Sequence, residues 1–209
     1  MSPIEAPADR QLADEAILAT RADTDVLAQM LADAFHNDAL TRWITPDEER
    51  RRRILPDFFR IHLDISLRYD SVYTNAGRDA ALLFLPPGAW EETEQRGVEL
   101  AQQFAAVLGE DVDAMATISG LQTMQHPTGR PHFYVSFAGV DPSHQRHGAM
   151  STLVDALLKR ADAENFAAYA EASSAGGTVA ARRSGFVECG QKIEIPGGPT
   201  LRPMWREPR

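Results

Sequence analysis

The sequence predicts one domain of the α/β class, with mixed α+β character, and three observations lead to this prediction. Stretches with apolar residues at helical spacing alternate along the chain with short apolar runs that are typical of strands. Two helical stretches, 91–108 and 112–125, interrupt the strands in the middle of the chain. With 209 residues, 44% of them hydrophobic, the chain is long enough to bury one complete core.

The N-terminal part predicts an arm, a strand and a helix. Residues 1–14 lack periodicity and hold two prolines, which predicts a flexible arm in front of a single domain over 15–209. The apolar run 16–20 is expected to form the first strand. A helix follows, with Thr24 as its N-cap and Asn37 as its stop.

The next elements are a second helix and a hairpin. Residues 45–48, Thr-Pro-Asp-Glu, are typical of a helix start, and Pro56 is expected either to bend or to divide the helix that follows. Residues 71–75 and 80–85 read as strands, and Gly77 between them suits a hairpin turn. This hairpin comes directly before the helical insertion.

The rest of the chain predicts the order strand, helix, strand, helix, hairpin. The first strand covers 132–140, its helix 150–165 and the next strand 167–172. A short helix is expected over 178–183. The two strands of the final hairpin, joined by a turn rich in glycine and proline, are expected at 186–195 and 201–206.

The charge balance argues against nucleic-acid binding. The formal net charge is −9 at pH 7, whereas a nucleic-acid partner requires a basic face. The basic run Arg50 to Arg53 follows three acidic residues and is interpreted as the solvated start of a helix, with binding of adenosine phosphates as the alternative. We therefore expect no nucleic-acid partner.

Composition also restricts location and metal chemistry. Cys189 is the only cysteine, so no intrachain disulfide is possible. No cluster of histidine, aspartate and glutamate has the close spacing of a metal site, and we expect no metal. No segment approaches about 18 uninterrupted apolar residues, and residues 1–12 carry proline and acidic residues instead of a signal sequence. The expectation is a cytoplasmic protein without membrane contact.

The most informative stretch runs from Val140 to Ser151, Val-Asp-Pro-Ser-His-Gln-Arg-His-Gly-Ala-Met-Ser. A strand stops there at Asp141-Pro142, and an amphipathic helix begins immediately afterwards. The first backbone N–H groups of a helix have no partner within the helix. Because these groups carry partial positive charge, such a helix start suits a diphosphate.

Several short stretches, together with the order of elements, resemble a known family. The stretches are 133–135, 139–142, 145–151, 171–173 and 185–186. In these positions the chain resembles the GNAT superfamily of acyl-CoA-dependent N-acyltransferases, over roughly residues 15–206. The helical insertion and residues 196–204 resemble the puromycin N-acetyltransferase type within that superfamily.

The resemblance implies the GNAT fold, a central mixed but mostly antiparallel sheet flanked by helices, with the helical insertion between strands. It also implies acetyl-CoA, or another acyl-CoA, as cosubstrate. In the family, a Gln/Arg-x-x-Gly-x-Gly/Ala loop holds the CoA pyrophosphate through backbone N–H groups. Here Gly148 matches that loop, whereas Met150 departs from it and is expected either to crowd the diphosphate or to point into the core.

Family members also pair the backbone of the central strand with pantetheine, which places the end of strand 132–140 beside the thioester. Gly139 is expected to form a bulge there. The cofactor-binding residues implied by the resemblance are Ala138, Gly139, Val140, Gln145, Arg146, His147, Gly148, Ala149, Met150, Ser151 and Ser174.

Two functional side chains of the family are absent. The tyrosine that often protonates the leaving thiolate corresponds to Ala181, and the asparagine four positions earlier corresponds to Gly177. Either positioning of the two substrates alone accounts for the rate of acyl transfer, or another residue supplies the proton to the leaving thiolate. The alternatives for that acid are Tyr134, Cys189, Tyr169 and Ser174; Tyr134 is the catalytic candidate, with a purely structural role as its alternative.

Glu171 lies in the apolar strand 167–172, where an unpartnered carboxylate is costly. We interpret it as a catalytic candidate that recognises the amine or acts as a general base through water, with a structural salt bridge as the alternative. His132 is interpreted as a surface residue at the strand entrance, with a proton relay as the alternative. His144 and His147 flank the loop and are expected to meet solvent or phosphate.

The predicted function is transfer of an acetyl or similar acyl group from CoA to an amine of a small molecule, such as an antibiotic or its precursor. The acceptor pocket implied by the resemblance lies near 35–43, 58–69 and Trp205, and the acidic balance favours a cationic amine. Two alternatives remain: a GNAT-fold binding or regulatory module that has lost transfer, and a biosynthetic enzyme that works without CoA. The sequence also leaves open whether the chain forms a homodimer.

Overall fold

The computed structural model describes residues 15–145 and 147–209. The predicted arm at 1–14 and Arg146 lie outside the described residues. The strands are β1 Ile17–Leu18, β2 Val72–Thr74, β3 Ala80–Leu85, β4 His132–Val140, β5 Ala167–Ala172, β6 Val187–Glu188, β7 Ile193–Glu194 and β8 Thr200–Arg206. The helices are α1 Thr24–Phe35, α2 Ala39–Ile44, α3 Glu48–Leu67, α4 Ala89–Gln95, α5 Gly97–Leu108, α6 Val112–Gln125, α7 Ala149–Ala163 and α8 Ala175–Arg183.

The strands form one mixed sheet. Its neighbours lie in the order β1-β2-β3-β4-β5-β8-β6, and β7 also pairs with β8. Every pair is antiparallel except β4 with β5, which are parallel. The predicted sheet, mixed but mostly antiparallel, flanked by helices and interrupted by a helical insertion, is therefore confirmed.

Helices cover both faces of the sheet and enclose two cores. All six residues of β3 are buried, and they alternate between the faces as strand geometry requires. Leu83 and Leu85 join the larger core beneath α1, α3 and α5. Leu82 and Phe84 join the smaller core beneath α7. A strand buried on both faces explains why its sequence is continuously apolar.

Some helix boundaries differ from the prediction. Pro56 lies inside α3, which continues over 20 residues, so the proline does not divide the helix. Thr24 is the first residue of α1 and not its N-cap. The short helix α2 is absent from the prediction; its local signal is Asp38, whose carboxylate accepts a hydrogen bond from the Leu40 N–H at 2.8 Å.

The insertion and the final hairpin are more divided than predicted. The helix expected over 91–108 is two helices, α4 and α5, which meet at Arg96. The strand expected over 186–195 is also two, β6 and β7, and both pair with β8. Gly190 lies between them at a φ of 61°, a conformation that favours glycine and interrupts the strand.

The basic run 50–53 is only partly solvated. Arg51 is 3% exposed, and its guanidinium donates to backbone oxygens that follow α1 and α2. Arg50 binds the carboxylates of Glu110 and Asp111. The interpretation of this run as a solvated helix start is therefore wrong for Arg50 and Arg51, which tie α3 to neighbouring turns.

β4 contains a bulge at Ser136, whereas the sequence predicts a bulge at Gly139. The register shifts between Leu83 and Phe84 of β3, which leaves Ser136 as the extra residue. Because the extra residue changes the alternation of the side chains after it, Phe137 packs against the larger core. The bulge thus determines which face the second half of β4 presents to each core.

Gly139 has a packing role instead. A Cβ at this position would lie 2.7 Å from Leu31 Cδ2 and 2.9 Å from Phe35 Cε2, both on α1. Such distances are shorter than packed carbon atoms tolerate. A residue without a side chain therefore allows α1 to lie close against β4.

Replacing Gly139 by valine is expected to destabilise the protein by about 1–3 kcal/mol, because the new side chain overpacks the contact between α1 and β4. Gly120 provides the control, since a Cβ there meets nothing within 4 Å; Gly120→Ala is expected to be neutral or slightly stabilising. Urea unfolding of the two variants measures the difference. A Gly139→Val protein as stable as the unmodified chain would contradict this packing.

Candidate active site

The two central strands separate halfway along β4. β4 and β5 pair in parallel only as far as Val135 and Ala170. Beyond that point, residues 136–140 of β4 follow β3, and residues 171–172 of β5 follow β8. Each strand keeps its outer neighbour, so a wedge opens between these two segments.

The wedge presents an open backbone edge. Within the described residues, no strand pairs with the side of residues 136–140 that faces β5. An extended ligand can pair with such an edge as an additional strand. Ala138 is exposed there, whereas Gly139 is buried under α1 and the Val140 side chain packs against the smaller core. The Asp141 N–H bonds to the Asp79 oxygen, so by the alternation of an antiparallel pair Ala138 and Val140 point their backbone groups into the wedge, whereas Gly139 points its groups at β3.

The loop after β4 brings a helix start to the open end of the wedge. Asp141 begins the loop, and its carboxylate accepts the Ser143 N–H at 2.8 Å. Gly148 has a φ of 91° and directly precedes α7. The Thr152 N–H bonds to the Gly148 carbonyl oxygen, so the N–H groups of residues 149–151 precede the first intrahelical bond and lack acceptors within the helix.

The side chains of this loop point in different directions. Met150 packs against the smaller core, so of the two expectations for this residue the core position is the correct one. Gln145, His147 and Ser151 are exposed. Arg146 lies outside the described part of the chain. Methionine at position 150 departs from the family pattern, but its side chain therefore does not fill the space in front of the helix start.

Glu171 lies where the wedge opens and binds three uncharged side chains. Its Oε1 accepts a hydrogen bond from the Tyr169 hydroxyl at 2.9 Å. Its Oε2 accepts from the Tyr134 hydroxyl at 3.3 Å and from Gln122 Nε2 at 2.5 Å. Within 15–145 and 147–209 no basic side chain neutralises this carboxylate, so the structural salt bridge considered from the sequence is not present there.

Burial changes the pKa values in this group, which we call the carboxylate cluster (Glu171, Tyr134, Tyr169 and Gln122). Desolvation raises the pKa of Glu171 above its usual value, although the hydrogen bonds it accepts oppose the shift. Desolvation and the neighbouring carboxylate raise the pKa values of both tyrosines far above the usual range. Both phenols are therefore protonated at neutral pH, whereas the carboxyl group titrates closer to neutrality than an exposed glutamate does.

An aromatic wall adjoins the carboxylate cluster. His126 stacks on Trp90, with ring centroids 3.9 Å apart, and its Nε2 lies 3.2 Å from His132 Nε2. His132 is 8% exposed, so its interpretation as a surface residue is wrong; the rings of His126 and Trp205 cover it. Burial lowers the pKa of His126 to about 3 and also lowers that of His132. The pair is neutral at pH 7.

The positions of the two absent family side chains contain no polar replacement. Ala181 packs against the smaller core, and Gly177 donates its N–H to Ser174 Oγ at 3.0 Å. Ser174 is the N-cap of α8, which accounts for its hydroxyl. Burial raises the pKa of the Cys189 thiol. Of the four alternatives for an acid, the two tyrosines are the ones that belong to the carboxylate cluster.

The predicted acceptor region divides into a cleft and a packed core. A cleft of about 430 Å³ has Tyr169, Cys189 and Trp205 in its wall. Phe35 and Phe58, by contrast, pack against other aromatic rings of the larger core. These two phenylalanines are therefore core residues. Trp205, by contrast, borders the cleft, as expected for a residue of the acceptor region.

Gln122 and His126 are site residues that the sequence does not predict. Gln122 and Glu171 are 49 positions apart, and no local pattern in an amphipathic helix indicates which of its amides meets a distant carboxylate.

None of the helices in the described residues is long and apolar enough to span a membrane. Over 15–145 and 147–209, no group of three or more His, Cys, Asp or Glu side chains is arranged to hold a metal ion.

Residues 70–183 match the family model described as "Acetyltransferase (GNAT) family". The matched segment contains β4, the wedge, the loop before α7 and Glu171. No curated protein matches the chain at a significant level.

Solved structures of other proteins have a similar fold. One from Corynebacterium glutamicum, described as "histone acetyltransferase HPA2 and related acetyltransferase", has a TM-score of 0.68 at 22% identity, with 93% of this chain and 96% of that chain covered. Arylalkylamine N-acetyltransferase 2 from Aedes aegypti has a TM-score of 0.64 at 12% identity, covering 93% and 99%. Polyamine N-acetyltransferase from Drosophila melanogaster has 0.59 at 14%, covering 92% and 98%. At these identities the similarity concerns the fold.

The buried histidines predict a loss of stability in mild acid. The folded-state pKa of His126 is about 3, whereas an unfolded histidine titrates near about 6.5. Between these values the unfolded chain binds the additional proton, so the free energy of unfolding falls as the pH decreases from about 6.5 towards 3. His126→Gln removes one titrating group and is expected to reduce this fall.

Urea unfolding at about pH 7 and about pH 5 measures the effect. His147→Gln provides the control, because His147 is exposed and its ring contacts a backbone oxygen, and its fall in stability is expected to equal that of the unmodified chain. An equally large fall in His126→Gln would contradict the contribution of the buried pair.

Proposed function

Since the chain belongs to the acetyltransferase (GNAT) family, we propose that it transfers an acetyl group from acetyl-CoA to an amine of a small molecule. One observation carries the proposal: Glu171, with the Tyr134 hydroxyl 3.3 Å from its Oε2, lies where β4 and β5 separate. A base and a proton donor are thus adjacent, beside an open strand edge with which an extended ligand can pair.

The residues around the wedge fit an acyl-CoA cosubstrate, which supplies the activated acyl group when bound. The backbone of Ala138 and Val140 would pair with its extended pantetheine arm, while Gly139 stays paired with β3. The N–H groups of residues 149–151 would hold its pyrophosphate. Gly148 leaves room for such a group, because a Cβ there would meet nothing within 4 Å.

Glu171 is proposed to take the proton from the amine. Its Oε2 already accepts hydrogen bonds from two donors, so the carboxylate is oriented to receive an N–H group. Because burial raises its pKa, the carboxylate is a stronger base than an exposed glutamate. Removal of the proton leaves the nitrogen lone pair free to attack the acyl carbon.

Tyr134 is proposed to protonate the leaving sulfur. Burial and Glu171 raise the pKa of its hydroxyl, so the hydroxyl keeps its proton at neutral pH and donates a hydrogen bond to negative charge that develops on sulfur. The hydrogen bond to Glu171 connects this donor to the base. A protonated amine loses two protons in the reaction. The first, whose removal frees the lone pair, passes from Glu171 to water. The second, lost once nitrogen has attacked the acyl carbon, replaces the one that Tyr134 gives to the thiolate, so the reaction balances without the tyrosine that Ala181 replaces.

The acceptor is proposed to be an amine with an apolar body, such as an antibiotic or its precursor. The carboxylate cluster offers a negative charge without a basic partner in the described residues, and the nearby cleft has aromatic side chains in its wall. Two proteins of similar fold bear the names of enzymes for amines, a polyamine N-acetyltransferase and an arylalkylamine N-acetyltransferase. The resemblance of the helical insertion to the puromycin N-acetyltransferase type supports the same class.

A second candidate is a protein that binds acyl-CoA without transferring the acyl group. Ala181 and Gly177 favour it, because both replace polar side chains that the family uses. Release of free CoA thiol distinguishes the two candidates. Transfer releases one thiol for each amine acetylated, whereas binding alone releases none.

Glu171→Gln is expected to lower kcat/KM for the amine by about a hundredfold or more, because it removes the general base. The measurement is release of CoA thiol from acetyl-CoA with 2-phenylethylamine, agmatine or puromycin as acceptor. In the unmodified chain, the rate is expected to fall as the pH decreases through the raised pKa of Glu171. Glu194→Gln, which changes an exposed carboxylate, is expected to keep full activity.

Two outcomes decide between the candidates. Full activity in Glu171→Gln would contradict the role given to this residue. An unmodified chain that binds acetyl-CoA yet releases no thiol with any of the three amines would favour the second candidate.

Tyr134→Phe is expected to lower kcat by about tenfold to a hundredfold while the KM for acetyl-CoA stays near its original value, since the ring contacts remain and the proton donor is lost. Tyr73→Phe is the matched control, because Tyr73 packs on Phe84 and adjoins the smaller core. The same thiol assay measures both variants. An unchanged kcat in Tyr134→Phe would assign the proton to another group.

A further inference from the structure

α6 reaches the carboxylate cluster but is held by few buried side chains. Of its 14 residues, Ile118 is the one that is buried, and Met124 is 83% exposed. α3, by comparison, buries ten of its 20 residues. Segments with few buried contacts open locally at a low free-energy cost. α6 is therefore the side of the cluster that can yield to a ligand most easily.

Gln122 is the residue of α6 that contacts the cluster. Its Nε2 donates to Glu171 Oε2 at 2.5 Å and also lies 3.4 Å from the Tyr134 hydroxyl. An N–H donor thus lies between the proposed base and the proposed acid. The reacting nitrogen of an acceptor must present an N–H group to the same oxygen of Glu171. The amide of Gln122 therefore occupies the position that the acceptor nitrogen requires.

We propose that Gln122 is a latch: its side-chain amide holds Glu171 in the free protein, and the amine of the acceptor displaces it. This inference rests on the proposed function and adds the residue that competes with the acceptor. A protonated amine forms a charge-assisted hydrogen bond to the carboxylate, which is stronger than the bond from a neutral amide. A neutral hydroxyl forms a hydrogen bond to Glu171 that is no stronger than the amide bond it would replace. The latch therefore favours amines over alcohols as acceptors.

The surroundings of α6 restrict the motion to this side chain and its own turn of helix. At one end of α6, Arg50 holds Asp111. At the other end, His126 stacks on Trp90. Because both ends are anchored, displacement of the Gln122 side chain does not require the whole helix to leave the sheet.

Truncation of Gln122 tests the latch directly. Gln122→Ala is expected to bind 2-phenylethylamine about three- to tenfold more tightly in isothermal titration without acetyl-CoA, because the ligand no longer competes with a hydrogen bond to a charged group. In the thiol assay its KM for the same amine is expected to fall by a similar factor. Met124→Ala, on the exposed face of the same helix, is expected to change neither value.

The outcomes separate the latch from the proposed function. Weaker or unchanged binding of the amine by Gln122→Ala, or no binding at all, would overturn the latch. Tighter binding without any thiol release by either protein would keep the latch and reject acetyl transfer. Gln122→Ser provides a second truncation that gives the same answer if the alanine variant does not fold.

Discussion

The separation of the two central strands determines where the candidate active site lies. It arises because each strand stays paired with its outer neighbour. β4 stays with β3 and β5 stays with β8, so the parallel pair between them ends after Val135 and Ala170. The backbone groups released on this edge of β4 require other partners. We infer from this requirement that the wedge is a binding edge. A ligand there would meet the backbone groups of Ala138 and Val140 and the side chain of Glu171.

The wedge connects two faces of the sheet that carry different chemistry. On the face of the smaller core, the start of α7 presents N–H groups without intrahelical acceptors. On the face of the larger core, Tyr169 and Tyr134 surround Glu171 beneath α6. A ligand that passes through the wedge can therefore place an anionic end on one face and a reactive end on the other. A long cosubstrate with a diphosphate near one end and a thioester at the other has this form.

Local patterns predicted most of the elements, because apolar runs between turn residues are signals contained within a few positions. The bounds of β4 and β5 agree with the prediction for this reason, and Glu171 is recognisable as a carboxylate within an apolar strand. Features that depend on distant pairing could not be predicted. The bulge at Ser136 follows from the register with β3. The burial of His132 and the contact of Gln122 with Glu171 follow from where the inserted helices settle.

We propose that the wedge and the start of α7 bind an acyl-CoA, and isothermal titration with acetyl-CoA measures this binding. We expect saturable binding, little changed in Ser151→Ala. Ser151→Glu is expected to weaken binding by about tenfold or more, because it places a carboxylate among the N–H groups that would hold the pyrophosphate. No heat at millimolar acetyl-CoA, or equal affinity in Ser151→Glu, would contradict binding of the pyrophosphate at the start of α7.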